Sequence, residues 1–141
     1  MTPDDTPPRT SSSTPLILQG IAILLVDDKE DNALIASKIL AYNGARVYTA
    51  HDGEAALQFL ETGDVMPQLL LLDLSMPVLD GWETFRRVRS NPATAHLPVI
   101  ALTAYAVEGD ERRISAAGFD GYIAKPYTID TLLAEINRVL A

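Results

Sequence analysis

The chain has 141 residues, of which 48% are hydrophobic and 21% charged, a composition typical of one globular domain with its own core. It has no cysteine, which excludes disulfides and thiolate chemistry, and its net charge of −8 argues against nucleic-acid binding, which needs clustered cations. The longest apolar run, Ile21–Val26, is too short to span a bilayer, and the first residues lack the pattern of a secretory signal peptide. We therefore expect a cytoplasmic protein that binds neither nucleic acid nor membrane.

Residues 2–15 consist of Thr, Pro, Ser, Asp and Arg, with no apolar side chain. Such a segment cannot bury enough surface to offset the entropy lost on ordering. Residues 1–16 are therefore predicted to form a disordered Pro/Ser/Thr-rich tail, and residues 17–141 the folded domain.

Beyond the tail, short apolar runs alternate with segments of helical period. The five predicted strands are Ile21–Val26, Val47–Ala50, Leu69–Leu72, Val99–Leu102 and Tyr122–Ala124. Four of them are solidly apolar, as expected of strands that are covered on both faces.

The helical segments between the strands carry end signals. Gly44 is placed to end the first helix and Gly118 the fourth, while Asp52 and Thr128 are placed to cap the second and the fifth. The apolar positions that share a face in the five segments are, in chain order, Ile35, Ile39, Leu40 and Tyr42; Ala56, Leu57 and Leu60; Trp82, Phe85 and Val88; a stretch from about Val107 to Ala117; and Leu132, Leu133, Ile136, Val139 and Leu140.

Strands that alternate with helices predict βαβ units and hence an α/β fold, with a five-stranded parallel sheet doubly wound by five helices. Right-handed crossovers leave few topologies, and the common five-stranded solution has the strand order 2-1-3-4-5. In that arrangement ligands bind beyond the carboxyl ends of the strands.

Polar residues follow four of the five predicted strands at their carboxyl ends. The first strand runs into Asp27 and Asp28, the third into Asp73, the fourth into Thr103 and the fifth into Lys125. The second strand has no such continuation and is expected at an edge. Because parallel strands end at the same edge of a sheet, three carboxylates, a hydroxyl and an ammonium are expected to converge on one site.

Three close carboxylates repel one another, and a hard divalent cation relieves this repulsion. Mg2+ prefers oxygen ligands, so Asp28 and Asp73 are the natural direct ligands, with Asp27 acting through water. The backbone carbonyl of Ser75 is the most plausible further ligand.

With such a cation bound, one carboxylate becomes a usable nucleophile toward a phosphoryl donor. Transfer then depends mainly on positioning and on neutralising the charge of the phosphoryl oxygens. The Lys125 ammonium and the Thr103 hydroxyl are the candidates for binding those oxygens.

These motifs, in this order, resemble those of the response-regulator receiver family. The matching segments are Asp27-Asp28, Asp73–Pro77, Gly81, Thr103-Ala104, Ala117–Tyr122 and Lys125-Pro126. The resemblance covers about residues 21–140 and is close to stand-alone receivers and to those fused to hybrid histidine kinases. It implies a flavodoxin-like receiver fold.

The resemblance further implies that Asp73 accepts a phosphoryl group from a phosphohistidine on a sensor histidine kinase or a histidine phosphotransfer protein, with Mg2+ as cofactor. It implies that Thr103 and Tyr122 switch conformation, and that the fourth helix, fifth strand and fifth helix form the face that binds a downstream protein. Lys125-Pro126 would be a cis peptide. Such a protein is a signalling switch that catalyses only its own phosphorylation and dephosphorylation.

In the family, the second residues after the acceptor and after the threonine tune the lifetime of the phosphoryl group. Here these residues are Ser75 and Tyr105. A bulky Tyr105 beside the phosphoryl group predicts slow autodephosphorylation, because it hinders the attacking water.

Three alternatives differ from this interpretation. A receiver module excised from a longer kinase or regulator fits the motifs as well as a stand-alone regulator does. A small phosphatase with an aspartate nucleophile needs a D-x-D-x-[TV] motif after the first strand, which Asp27–Asp31 does not supply. A flavin or nucleotide site needs a Gly- or hydroxyl-rich loop there, whereas two aspartates would repel a phosphate.

Overall fold

The computed structural model describes residues 17–76, 79–104 and 110–141. The predicted tail and Tyr105 lie outside these residues, as does the predicted start of the fourth helix. Within them, no helix is both long and apolar enough to cross a membrane.

Strands and helices alternate along the chain as the sequence predicts. The elements are β1 (Ala22–Val26), α1 (Glu30–Tyr42), β2 (Arg46–Ala50), α2 (Gly53–Thr62), β3 (Leu69–Asp73), α3 (Gly81–Ser90), β4 (Val99–Thr103), α4 (Asp110–Ala117), β5 (Gly121–Ala124) and α5 (Ile129–Leu140). Each strand differs from its predicted bounds by one residue at one end.

The five strands form one parallel sheet in the order β2-β1-β3-β4-β5, which confirms the predicted topology. Every residue of β1, β3 and β4 is buried, as their continuous apolar sequences require. The more polar β2 lies at the edge, also as predicted.

Two apolar cores flank the sheet, because successive side chains of a strand point to opposite faces. On one face, Leu24 and Leu70 pack in a cluster with residues of α2, α3 and α4, including Phe85. On the other, Ile23 and Leu69 pack with residues of α1 and α5. The carboxyl ends of the strands are thus held between two packed layers of helices.

The predicted inward face of α1 is wrong in part. Ile35 and Tyr42 are 59% and 84% exposed, whereas Ala36 and Leu40 are buried. Ala36 and Leu40 lie one turn apart, and a helix that puts this pair against the sheet turns Ile35 about 100° away from it. The small side chain of Ala36 permits the close approach.

The predicted helix ends are confirmed where side chains define them. The Asp52 carboxylate accepts a hydrogen bond from the Ala55 amide at 2.7 Å, and the Thr128 hydroxyl accepts one from the Thr131 amide at 3.1 Å. Gly44 follows α1 with φ of 99°, a conformation that favours glycine. Asp52 and Thr128 thus fix where the loops at the carboxyl ends of β2 and β5 end, whereas Gly44 lies at the opposite edge of the sheet.

Candidate functional site

Lys125 lies between two buried carboxylates at the carboxyl ends of the strands. Its Nζ is 3.1 Å from Asp27 Oδ2 and 3.2 Å from Asp73 Oδ2. The two carboxylate side chains are only 1% and 3% exposed, and that of the lysine 15%. The structure therefore brings together three of the side chains that the strand ends predicted.

The second oxygen of each carboxylate is held by the chain that follows it. Asp27 Oδ1 accepts from the Lys29 amide at 2.9 Å, and Asp73 Oδ1 accepts from the Ser75 amide at 3.0 Å. Each carboxylate thus has one oxygen oriented by its own loop and one facing Lys125.

Asp28 completes the acidic group and differs from the other two. One oxygen from each of Asp27, Asp28 and Asp73 lies within 4.8 Å of the others. Among the described residues, Asp28 Oδ1 is the one buried side-chain oxygen without a hydrogen-bond partner. An orphaned buried carboxylate oxygen is costly unless a ligand satisfies it, and a hard cation such as Mg2+ fits this all-oxygen set.

The charges of the site do not balance by themselves. Burial raises the pKa of Asp73; the Ser75 amide and the Lys125 ammonium oppose this rise, and the pKa remains above its usual value. Burial lowers the pKa of Lys125, but the Asp73 and Asp27 carboxylates outweigh burial and the pKa is raised. Three carboxylates beside one ammonium leave two negative charges uncompensated, which a divalent cation would neutralise.

Thr103 and Ser75 lie around the same carboxyl-end edge. Thr103 is the last residue of β4 and is 4% exposed, and its carbonyl accepts from the Lys125 amide at 2.7 Å. Ser75 is exposed two residues beyond Asp73. The roles of the Thr103 hydroxyl and of the Ser75 carbonyl remain predictions.

Two backbone features shape the loops around Asp73. The Lys125-Pro126 peptide is cis, as the resemblance implied. A Cβ at Gly81 would collide with the backbone carbonyl of Asp73 and with Leu74, so only glycine permits α3 to begin this close to the strand end.

Tyr122 lies farther from Asp73, on β5. Its ring is half-buried against the core that contains Phe85, and its amide donates to Glu135 Oε2 at 3.0 Å. Desolvation, followed by the neighbouring Glu111 carboxylate, raises the pKa of Tyr122. Its switching role remains a prediction, and Glu135 was not identified from the sequence.

Tyr127 is a second residue that the sequence reasoning missed. It is half-buried, and burial raises its pKa while Lys125, Asp27 and Asp73 act on it electrostatically. With Ile35 and Pro126 it lines an open cavity of about 430 Å³ that also contacts Lys125. Its position directly after the Lys125-Pro126 motif was the signal that could have identified it.

The comparison with protein families agrees with this arrangement of strand ends. The family model described as the response regulator receiver domain matches residues 23–137. The chain belongs to this family. Receiver domains are signalling switches of two-component systems, and they interact with histidine kinases and downstream targets in general.

Individual relatives agree with the family match. The polar-differentiation response regulator DivK of Brucella anthropi is 29% identical over 84% of this chain and 95% of its own length. The solved structure of the Vibrio cholerae chemotaxis protein CheY4 is similar with a TM-score of 0.78 and 29% identity, covering 85% of this chain and 98% of that chain.

A third relative carries a metal. The receiver domain of a sensor histidine kinase from Pseudomonas aeruginosa, described with a magnesium ion coordinated in the active-site cleft, is 33% identical with a TM-score of 0.76. The match covers 86% of this chain and 99% of that one. The acidic cluster of the present chain, formed by Asp27, Asp28 and Asp73, could hold a metal ion.

Proposed function

We propose that this receiver accepts a phosphoryl group on Asp73 from a phosphohistidine and presents a changed surface to a downstream protein. The observation that supports the proposal is the arrangement of Asp27, Asp28 and Asp73 around one lysine, with an unpartnered buried oxygen on Asp28. The donor would be a sensor histidine kinase or a histidine phosphotransfer protein, and the proposed location is the cytoplasm.

Asp73 is the nucleophile in this proposal. Its Oδ1 is held by the Ser75 amide, whereas its Oδ2 faces Lys125, so the carboxylate is oriented before the donor arrives. A carboxylate oxygen forms a bond to phosphorus as the phosphorus–nitrogen bond to the imidazole breaks, and the imidazole leaves. The product is an acyl phosphate on Asp73.

Lys125 and Thr103 neutralise the phosphoryl oxygens. The Lys125 ammonium lies 3.2 Å from Asp73 Oδ2, and it can therefore reach an oxygen of a phosphoryl group bound to that carboxylate. The Thr103 hydroxyl, on the neighbouring strand, is the proposed donor to a second oxygen. Both groups are held in place at strand ends before the reaction, so they need not be repositioned during the transfer.

Asp28 and Asp73 would hold Mg2+ directly, Asp27 would act through water, and the Ser75 carbonyl would be the further ligand. When bound, the ion supplies positive charge that neutralises the acidic cluster and the transferring phosphoryl group. Asp27 also has a structural role, because its carboxylate lies 3.1 Å from the Lys125 ammonium and keeps that ammonium beside Asp73.

Phosphorylation would then shift a conformational equilibrium that involves Thr103 and Tyr122. Tyr122 is half-buried, so a small rotation changes how much of its ring is exposed on the face of α4, β5 and α5. That face is the proposed binding site of the downstream protein. The chain is thus proposed to be a switch that acts catalytically only on its own acceptor.

The test is the intact mass of the protein after incubation with acetyl phosphate. We expect a gain of one phosphoryl group in the wild type with Mg2+, and none with EDTA or in Asp73→Asn. Asp31→Asn, which removes an exposed carboxylate of α1, is the matched control and should still be phosphorylated. Phosphorylation of folded Asp73→Asn to the wild-type level would contradict the proposal.

The predicted role of Tyr105 is tested separately. If its side chain hinders water, Tyr105→Ala should shorten the lifetime of the phosphorylated protein. An unchanged decay rate would contradict that prediction without affecting the assignment of Asp73.

A further inference from the structure

Three aromatic rings and two arginines form a continuous chain of contacts between α3 and the region of α4. Phe85 stacks on Phe119 with ring centroids 3.8 Å apart at 15°, and Trp82 meets Phe119 edge to face at 5.6 Å. The Arg89 guanidinium lies 4.7 Å from the centre of the Phe85 ring, and that of Arg113 lies 5.0 Å from the Trp82 ring. We refer to these five residues as the aromatic ladder.

One end of the ladder is firmly attached to β4 and to the loop before β5. Arg89 donates to the Leu97 carbonyl at 2.6 Å and to Asp120 Oδ2 at 3.0 Å. The same Asp120 oxygen accepts from the Val99 amide at 2.8 Å. Because Asp120 lies two residues before Tyr122, this end of the ladder fixes the start of the strand that carries the proposed switch residue.

At the other end, an exposed cation of α4 meets a half-buried ring of α3, beside the buried Ile114 of α4. Phe85 and Phe119 are 4% and 7% exposed, whereas Trp82 is only half-buried and Arg113 is exposed on α4. The described ring contact that joins the body of α4 to this end is that of Arg113 with Trp82. Loss of the Arg113 guanidinium would therefore weaken the attachment of α4 to α3 at this end, while the buried Ile114 and the core rings stay in place.

One member of the ladder, Trp82, lies next in sequence to a residue that contacts the acceptor. Trp82 follows Gly81, which lies against the Asp73 carbonyl so tightly that a Cβ would collide with it. On the other side, α4 follows Thr103 within a few residues, and Thr103 is the proposed partner of the phosphoryl group. A phosphoryl group on Asp73 that engages Thr103 would consequently act close in sequence to α4, which the ladder connects to α3.

We propose that the Arg113–Trp82 contact holds α4 in its resting position and thereby opposes activation of the receiver. The geometry is that of the unmodified acceptor, with Asp73 paired to Lys125. A contact made only in this arrangement lowers the affinity for anything that favours the other arrangement. The inference rests on the proposed function, since it assumes that modification of Asp73 shifts α4.

The experiment measures the affinity for beryllofluoride, which mimics a phosphoryl group on a carboxylate, by calorimetry in the presence of Mg2+. Arg113→Ala should bind it about 2- to 5-fold more tightly than the wild type, the factor that corresponds to an exposed cation–π contact. Arg112→Ala is the matched control: it removes the same charge from the adjacent exposed position of α4 and should leave the affinity unchanged.

Arg113 has a further interaction besides its ring contact, so a double-mutant cycle with Trp82→Phe isolates the pair. Phenylalanine keeps an aromatic ring for packing on Phe119 but is a poorer cation–π partner than tryptophan. In the Trp82→Phe background, Arg113→Ala should have a smaller effect than in the wild type. An equal effect in both backgrounds, or equal affinities of Arg113→Ala and Arg112→Ala, would overturn the inference.

Failure of the proposed function has a different signature. If wild type and Asp73→Asn bound beryllofluoride equally, the acceptor itself would be wrong, and the inference would fall with it. If the wild type bound beryllofluoride normally and Arg113→Ala had no effect, the proposed role of the Arg113–Trp82 contact would be wrong, while the assignment of Asp73 would stand.

Discussion

The strongest consequence of the site geometry concerns Lys125. Replacing it by methionine keeps most of the apolar stem but leaves Asp27 and Asp73 facing each other without a cation. At an effective dielectric constant of about 20, each contact at 3.1 and 3.2 Å corresponds to about 5 kcal/mol of attraction. Carboxylate oxygens of Asp27 and Asp73 lie within 4.8 Å of each other, which corresponds to a repulsion of at least about 3.5 kcal/mol. Desolvation of the lysine offsets much of the attraction.

Breaking a buried ion pair by removing one partner costs about 3 to 5 kcal/mol, because a charge is left buried and uncompensated. We expect Lys125→Met to lower the free energy of unfolding by this amount in EDTA. We also expect Mg2+ to restore more stability to the variant than it adds to the wild type, since the ion supplies charge to the same carboxylates.

The assay is urea unfolding followed by circular dichroism, in EDTA and in Mg2+. Lys38→Met, on the exposed side of α1, is the control and should change stability by less than about 0.5 kcal/mol. A loss below about 1 kcal/mol for Lys125→Met in EDTA would show that the buried pair does not have the importance assigned to it. A loss of equal size in Mg2+ would show that the ion does not neutralise these carboxylates.

Three further predictions concern other parts of the site and its support. Asp28→Asn should raise the melting temperature in EDTA, because it removes a charge from the acidic cluster, and should reduce the rise caused by Mg2+; a full Mg2+ response would contradict its role as a ligand. A hydrogen bond from Arg138 lowers the pKa of Glu135. The Glu135 carboxylate therefore stabilises the fold above its usual pKa of 4.5, and this stabilisation is lost as the pH falls through the lowered pKa. Glu135→Gln should destabilise the protein at pH 7 but not in strong acid, which urea unfolding at the two pH values would show. Gly81→Ala should destabilise the protein by about 1–3 kcal/mol and slow phosphorylation by acetyl phosphate, since its Cβ would displace the Asp73 carbonyl, and normal stability and rate would refute that contact.

The sheet and the position of the site followed from the sequence because both depend on local patterns. Runs such as Leu69–Leu72 are apolar at every position, which is typical of strands buried on both faces, and the order of strands and helices then leaves few topologies. Polar residues directly after such runs must lie at one edge. The closeness of Asp27, Asp73 and Lys125 was therefore predictable before any distance was known.

What the sequence could not supply are contacts between distant segments. Lys125 is 98 residues from Asp27 and 52 from Asp73, and no local pattern decides how it divides its hydrogen bonds between them. The outward position of Ile35 has the same origin, because packing of Ala36 and Leu40 on the sheet sets how α1 is rotated about its own axis. The aromatic ladder likewise depends on Phe119, a loop residue whose neighbours on α3 are about 35 residues away in sequence.

The two kinds of contact around Asp73 suggest how a single modification can act in two directions. Toward β5, the acceptor shares Lys125 with Asp27, so an incoming phosphoryl group competes for an ammonium that is already paired. Toward α3, the acceptor's backbone lies against Gly81, and the next residue begins the ladder that reaches α4. A change of charge at Asp73 is thus met by a charged side chain on one side and by a sterically tight backbone contact on the other. In the proposed switch, Lys125 would exchange its contacts with Asp27 and Asp73 for contacts with the phosphoryl group, which would favour phosphorylation. The ladder would determine how much of the free energy of these new contacts is needed to move α4.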